Sequence, residues 1–364
     1  MSQLFLAIFL CLAMAMSGCA NSSSGPQAAA DAGSPVSQPD ATPVDDPDSG
    51  PSATAAADCF ADAFLQPSDI TIDYDQFGPA VGSHCLGTNH QSIPNIERVV
   101  FIGDSVTVGT PPTNAGDFYR SKLAGDLANK FGLSAPGAGW ENLNPISGMP
   151  LIADDGAFST CAKWGARTDD LLAGTNLLED CFPASERSKR TLVIMTLGGN
   201  DVASITKDGA GDSPELTVDQ LWTETEKFIS DLDDAVAWLK DPTRFPGGVD
   251  VVFANLFEFT DATGDVSACP AANAAGFEEW NDVEPLADMV VWANEQYMRI
   301  AVDYSADIIF NLEHFCGHGY KNDDPESPCY RGPNMERWYD LTCIHPTPGG
   351  HQQLANLFMA VIDE

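Results

Sequence analysis

Four residues, far apart in the chain, have the types and settings that acyl-transfer chemistry requires. Ser105 follows the apolar run Val99-Val100-Phe101-Ile102 and the turn residues Gly103-Asp104, so a hydroxyl is presented where a buried segment ends. His345, in Ile344-His345-Pro346, is the one histidine of 6 that precedes a proline. Asn200 follows Leu197-Gly198-Gly199, and Gly165 lies in Trp164-Gly165-Ala166-Arg167. A serine hydroxyl is a weak nucleophile until a base within hydrogen-bond reach takes its proton. A histidine near its ordinary pKa can take that proton and return it to a leaving group. The Asn200 amide, with the backbone N–H groups of Ser105 and Gly165, can hold the negative oxygen of a tetrahedral intermediate. One such donor commonly contributes about 10²–10³ in turnover. Taken singly, each residue also has an ordinary structural reading, since Gly-Asp-Ser and Gly-Gly-Asn are turn sequences.

These residues need a scaffold that gathers distant segments. The runs Val99–Ile102, Leu192–Leu197, Val249–Phe257 and Asp307–Leu312 are apolar without alternation and read as strands covered on both faces. Helical stripes separate them. Asp117–Phe131 carries Phe118, Leu123, Leu127 and Phe131 on one side; Val218–Leu239, Glu284–Tyr304 and His351–Ile362 have similar spacing. Strand alternating with helix predicts an α/β fold with a parallel sheet between helices. Right-handed crossovers then bring every strand's C-terminal end to one edge, where Ser105 and Asn200 fall. Residues 134–162, 260–282 and 313–339 read as long irregular insertions that shape a pocket. Trp140 and Trp164 are its candidate aromatic walls.

Together these segments resemble the SGNH (GDSL-type) hydrolase family, from roughly Arg98 to the C-terminus. The resemblance implies a three-layer α/β/α sandwich around a central parallel sheet, here with disulfide-stapled loop insertions. It implies Ser105 as nucleophile, His345 as base and then acid, and Ser105, Gly165 and Asn200 as oxyanion donors. It also implies a carboxylic ester hydrolase that works through an acyl-serine intermediate, with no cofactor. Lipid, short-chain and O-acetyl carbohydrate esters all suit it, as small molecules or polymers.

One position departs from the family pattern, which carries Asp three residues before the histidine. Here that residue is Thr342, in Asp340-Leu341-Thr342-Cys343-Ile344-His345. Three readings follow. Asp340 swings in to orient the imidazole, which is the reading placed first. The main-chain carbonyl of Thr342 takes the ring proton instead. Or the site is impaired, and the protein is a non-catalytic surface-binding lipoprotein on the same fold. An acyltransferase is a further alternative. A histidine base with an ordinary pKa predicts activity that falls as pH drops through about 6.5.

The chain begins with an uncharged apolar stretch, Leu4–Met16, too short to span a bilayer as a helix. It reads as the core of a signal peptide over residues 1–18. Met16-Ser17-Gly18-Cys19 resembles the lipidation box of bacterial lipoproteins, making Cys19 the expected lipidated residue. Residues 19–58 are rich in Ser, Pro, Ala, Asp and Gly and lack aromatics, which predicts a disordered tether. The hydrolase domain is expected over residues 59–364. The protein is expected to be exported and lipid-anchored in the cell envelope, or otherwise secreted, and monomeric.

The formal charge is -36, from 53 acidic and 17 basic residues, and no Lys or Arg precedes Arg98. Nucleic acid is excluded as a partner, because binding it needs clustered cations. Anionic lipid is disfavoured too, leaving the lipid anchor as the only membrane attachment. Of 10 cysteines, Cys11 falls in the signal and Cys19 in the lipidation box. The remainder are Cys59, Cys85, Cys161, Cys181, Cys269, Cys316, Cys329 and Cys343, which predicts up to four disulfides in an exported protein. Neighbour spacing favours Cys59–Cys85 and Cys161–Cys181. No Cys-x-x-Cys pair occurs, so zinc is the poorer reading. His314-x-Cys316-x-His318 is better explained by Cys316 as half a disulfide.

Overall fold

The strand that leads to Ser105 is buried on both faces. In the computed structural model it spans Arg98–Gly103 (β1), and every residue in it is buried. The structure describes residues 55–61, 63, 72–172, 174, 176–275 and 277–364. The remaining strands of its sheet are Asp154–Asp155 (β2), Phe158–Thr160 (β3), Thr191–Thr196 (β4), Val249–Ala254 (β5) and Asp307–Ile309 (β6). Their order across the sheet is β2-β3-β1-β4-β5-β6. All neighbours are parallel except β2 and β3, which form an antiparallel edge.

The seven helices that matter here are Ser105–Val108 (α1), Tyr119–Phe131 (α2), Gly199–Asp208 (α3), Val218–Leu239 (α4), Glu284–Asp303 (α5), Asn311–Phe315 (α6) and Pro348–Asp363 (α7). Alternate residues of each strand face opposite layers. Val100, Ile102, Val193, Met195, Val251 and Phe253 pack with α4 and α5. Val99, Phe101, Leu192, Ile194, Val252 and Ala254 pack with α2 and α7. Both sets are apolar, so the strand sequences do not alternate, and the result is the expected three-layer sandwich. Local signals set the helix ends. Thr217 accepts from the Gln220 N–H while the Gln220 side chain returns to the Thr217 N–H, a capping box that starts α4. Thr347 caps α7 and Pro348 opens it.

Register places the site. Gly103 pairs with Thr196, and Met195 with Phe253, so β1, β4 and β5 end close together. The segments that follow, from Ser105, Leu197 and Asn255, therefore emerge on one edge.

Several expectations need correction. The strand expected over Val249–Phe257 stops at Ala254, because Asn255 turns its side chain to take the Leu312 N–H at 2.9 Å. The strand expected over Asp307–Leu312 stops at Ile309 for a related reason, as α6 begins at Asn311. Residues 134–162 are not wholly irregular: β3 pairs with β1 and extends the sheet, its register running Val99 to Phe158 and Phe101 to Thr160. Three residues are too few to show periodicity. Gly198-Gly199 reads as a turn, but Gly199 opens helix α3.

Four disulfides staple the fold: Cys59–Cys85 and Cys161–Cys181, as spacing suggested, with Cys269–Cys343 and Cys316–Cys329. The segment expected as signal (1–18), Cys19 and nearly all of the segment expected as tether lie outside the described residues. The end of the stretch assigned to the tether is folded. Ala56–Phe60 is helical, and the Ala56 and Ala57 N–H groups donate to the Asp75 carboxylate at 2.8 and 3.1 Å. Among the described residues, no helix is long and apolar enough to cross a membrane.

Candidate active site

Ser105 opens α1 directly after β1. Gly103 makes that junction possible, because a Cβ there would collide with the Thr107 hydroxyl and the Thr196 carbonyl. Asp104 caps the turn and accepts the Val106 N–H at 2.8 Å. Burial pushes its carboxyl up to about 7, and its hydrogen bonds only partly oppose this. The Ser105 Oγ lies 2.8 Å from His345 Nε2. The two residues are 240 positions apart, and only the sheet edge brings them together.

His345 is 3% exposed, and burial lowers its pKa to about 4. Its other ring nitrogen, Nδ1, is 2.7 Å from the Thr342 hydroxyl. Thr342 in turn donates that hydroxyl to Asp340 Oδ1 at 2.5 Å and its N–H to the same oxygen at 2.8 Å. Asp340 therefore reaches the histidine through the Thr342 side chain, neither directly nor by way of the Thr342 carbonyl. Burial raises the Asp340 pKa, and the two Thr342 bonds hold it down. The sequence carries this as Asp-x-Thr-x-x-His, in which Asp340 is legible as the acid but its route to the ring is not. The link is the Thr342 side-chain hydroxyl.

The loop that carries these groups is closed at its base. The Asp340 N–H donates to the His345 carbonyl at 2.9 Å, and the Cys343 N–H donates to the Asp340 carbonyl at 3.1 Å. Tyr320 donates its hydroxyl to the same Asp340 carbonyl at 2.6 Å. Cys343 has a positive φ of 73° and is bonded to Cys269.

Asn200 lies in the first turn of α3. Gly198, at φ 108°, makes the approach: a Cβ would strike the Tyr297 hydroxyl, which donates to the Leu197 carbonyl at 2.7 Å. The Asn200 amide donates to the Ala166 carbonyl at 2.9 Å. That bond ties α3 to the segment containing Gly165. Gly165 has φ 76°, and open space lies where a Cβ would point. Asp201 accepts the Thr168 N–H and hydroxyl at 3.2 and 3.1 Å, and burial pushes its pKa up to about 7.

A pocket opens beside Ser105, with about 620 Å³ of empty space including its mouth. Val106, Leu197, Leu256, Phe257, Phe259 and Ile344 give it apolar walls, and Asn200, Asn255 and Asn311 add amides. Gly165 is not part of this lining. Trp140 is not a wall either. It is fully buried in the core, edge-on to Phe101 and Phe158, with the Arg120 guanidinium over its ring. Trp164 instead donates its indole N–H to the Gly109 carbonyl at 3.0 Å. The aromatic walls are Phe257 and Phe259, just after β5, with Tyr339 from the segment that leads to His345. His351 accepts the Tyr119 N–H inside the core, and Cys316 is committed to its disulfide.

Residues 99–358 match the family described as GDSL-like lipase/acylhydrolase, a span that contains every site residue named above. No curated protein matches this sequence. Among solved structures the chain is similar to an acetylxylan esterase from Geobacillus stearothermophilus, at 14% identity and a TM-score of 0.43, covering 75% of this chain and 97% of that one. It is also similar to an alpha/beta hydrolase enzyme from the metagenome of Lake Arreo, Spain, at 18% identity and a TM-score of 0.42, again with 75% and 97% coverage. The family match covers most of the sequence, and the chain belongs to the GDSL-like lipase/acylhydrolase family, as a carboxylic ester hydrolase.

Proposed function

We propose that this protein is an exported, lipid-anchored serine esterase. Ser105 attacks the acyl carbonyl while His345 Nε2 takes the hydroxyl proton. The protonated ring then delivers that proton to the leaving alcohol. Water repeats the sequence on the acyl-serine, with His345 again as base. The Ser105 and Gly165 N–H groups and the Asn200 amide, which has a second N–H beyond the one given to Ala166, stabilise the oxyanion. Asp340 supplies the charge behind the histidine. The observation that carries this reading is the unbroken hydrogen-bond chain from Asp340 through Thr342 and His345 to Ser105.

The apolar pocket beside Ser105 takes a short acyl group. Its polar lining does not compete for water: Asn255 and Asn311 are buried, and the Asn255 amide is bonded to Tyr74, Glu313 and Leu312, leaving the apolar side chains to meet the acyl group. Four disulfides favour an oxidising compartment. Residues 1–18 serve as signal, Cys19 as lipid anchor, and the following segment as tether.

A fluorophosphonate probe and a panel of p-nitrophenyl esters test the reading. Wild-type protein is expected to label and to prefer acetyl or butyryl over decanoyl esters. Ser105→Ala is expected to lose labelling and all but a residual rate. A Ser105→Ala protein that hydrolyses esters at the wild-type rate rejects the assignment.

A further inference from the structure

We propose that the Thr342 hydroxyl is the group that orients His345 in this chain, acting as a one-way hydrogen-bond bridge between the imidazole and Asp340. The inference rests on the reading of Ser105 and His345 as the reacting pair. It concerns what holds the histidine. In the family pattern an acid occupies the position of Thr342; here a neutral hydroxyl touches the ring and the acid lies one residue further out.

The direction of each bond follows from what each group can donate. An ionised carboxylate only accepts, and a hydroxyl has one proton with two lone pairs. Asp340 Oδ1 accepts both the Thr342 N–H and the Thr342 hydroxyl. The hydroxyl proton is thereby committed to Asp340, and a lone pair is left facing His345 Nδ1 at 2.7 Å. Nδ1 must then carry the ring proton. A neutral imidazole has only one N–H, so Nε2 keeps its lone pair and faces the Ser105 hydroxyl at 2.8 Å. Asp340 Oδ2 is buried and has no hydrogen-bond partner among the described residues, so the polar contacts of this carboxyl are concentrated on the Thr342 side.

In the acylation step the Ser105 proton moves to Nε2 as the Oγ–C bond forms and the carbonyl electron pair passes to its oxygen. The Nδ1 proton stays on nitrogen and the Thr342 proton stays on oxygen; both bonds shorten against the new positive charge. When the intermediate collapses, the Nε2 proton leaves with the alcohol. Thr342 touches neither substrate nor reacting atoms and is a positioning residue.

Thr342→Val removes the hydroxyl but keeps the backbone N–H and the branched shape. Thr342→Ser keeps the hydroxyl. Steady-state hydrolysis of p-nitrophenyl acetate by both, beside wild type and Ser105→Ala, tests the bridge. Thr342→Val is expected to lower kcat by about 10²-fold, within the range that general acid–base catalysis supplies. KM should move by less than about threefold, since substrate contacts are untouched. Thr342→Ser should stay within about threefold of wild type in both constants. An unchanged kcat in Thr342→Val, or equal losses in Val and Ser, overturns the proposal while leaving the Ser105 assignment standing. An active Ser105→Ala overturns both. Nitrogen-15 shifts of His345 in the wild-type protein at neutral pH give a second measurement that needs no variant. The Nδ1–H tautomer is expected, and an Nε2–H tautomer rejects the bridge.

Discussion

His345 is enclosed by protein, and that changes the pH at which it works. A base must be neutral to accept a proton. Burial disfavours the imidazolium and lowers the pKa to about 4, so the neutral form persists well below the ordinary histidine range. The expectation of a loss near pH 6.5 is therefore replaced. The acid limb of kcat/KM for p-nitrophenyl acetate should fall at about pH 4. Asp340 contributes to the same limb, since its carboxyl is raised by burial and must be ionised to accept the Thr342 hydroxyl. A limb centred at pH 6.5 in the folded enzyme is inconsistent with this account. The six residues of the candidate site were legible to different degrees. Ser105, Asn200 and His345 stand out because glycines or a proline mark the backbone around them. Asp340 was legible only as a nearby acid. Thr342 is not legible, because its hydroxyl matters only once the loop folds back and places residues 340, 342 and 345 on one side.

That loop is an element in its own right. It has no regular secondary structure, and its shape depends on the Asp340–His345 backbone pair, the left-handed Cys343 and the Cys269–Cys343 bridge. Replacing both cysteines by serine should loosen the histidine's support. A native disulfide typically contributes about 2–5 kcal/mol, so the melting temperature should fall. Turnover should fall as well, by about tenfold or more, because small displacements of catalytic groups are costly. Loss of stability with full kcat at a temperature where the variant is folded would place the bridge outside the site's support. The main strands and the long helices were readable because each shows apolar patterning over six or more residues. β3 has 3 residues and is held by its pairing with β1, so nothing local announces it. The pocket-wall residues Leu256 and Phe257 read as strand, since apolar residues leaving a sheet resemble those inside it.

At the scale of the molecule, charge is the dominant feature. A net charge of -36 repels itself, and that repulsion destabilises the compact state. Salt shortens its range, from about 30 Å at 0.01 M to about 3 Å at 1 M ionic strength. The melting temperature should rise by several degrees across that span, which calorimetry in sodium chloride checks. A melting temperature that falls with salt would mean that surface ion pairs such as Arg187–Glu179 and Arg299–Asp233 outweigh the repulsion. Composition and patterning by themselves determined the layered α/β class, the supply of cysteines for four bridges, the acidic composition and the serine, histidine and asparagine of the candidate site. Those properties reside in residue type and short-range spacing, which a linear chain displays directly. Tertiary structure alone decided how the acid reaches the histidine, which aromatics wall the pocket, how the later cysteines pair and how far the histidine's pKa is displaced. Each of these is set by distances and burial between segments remote in the chain, and such quantities exist only once the sheet has aligned its strand ends.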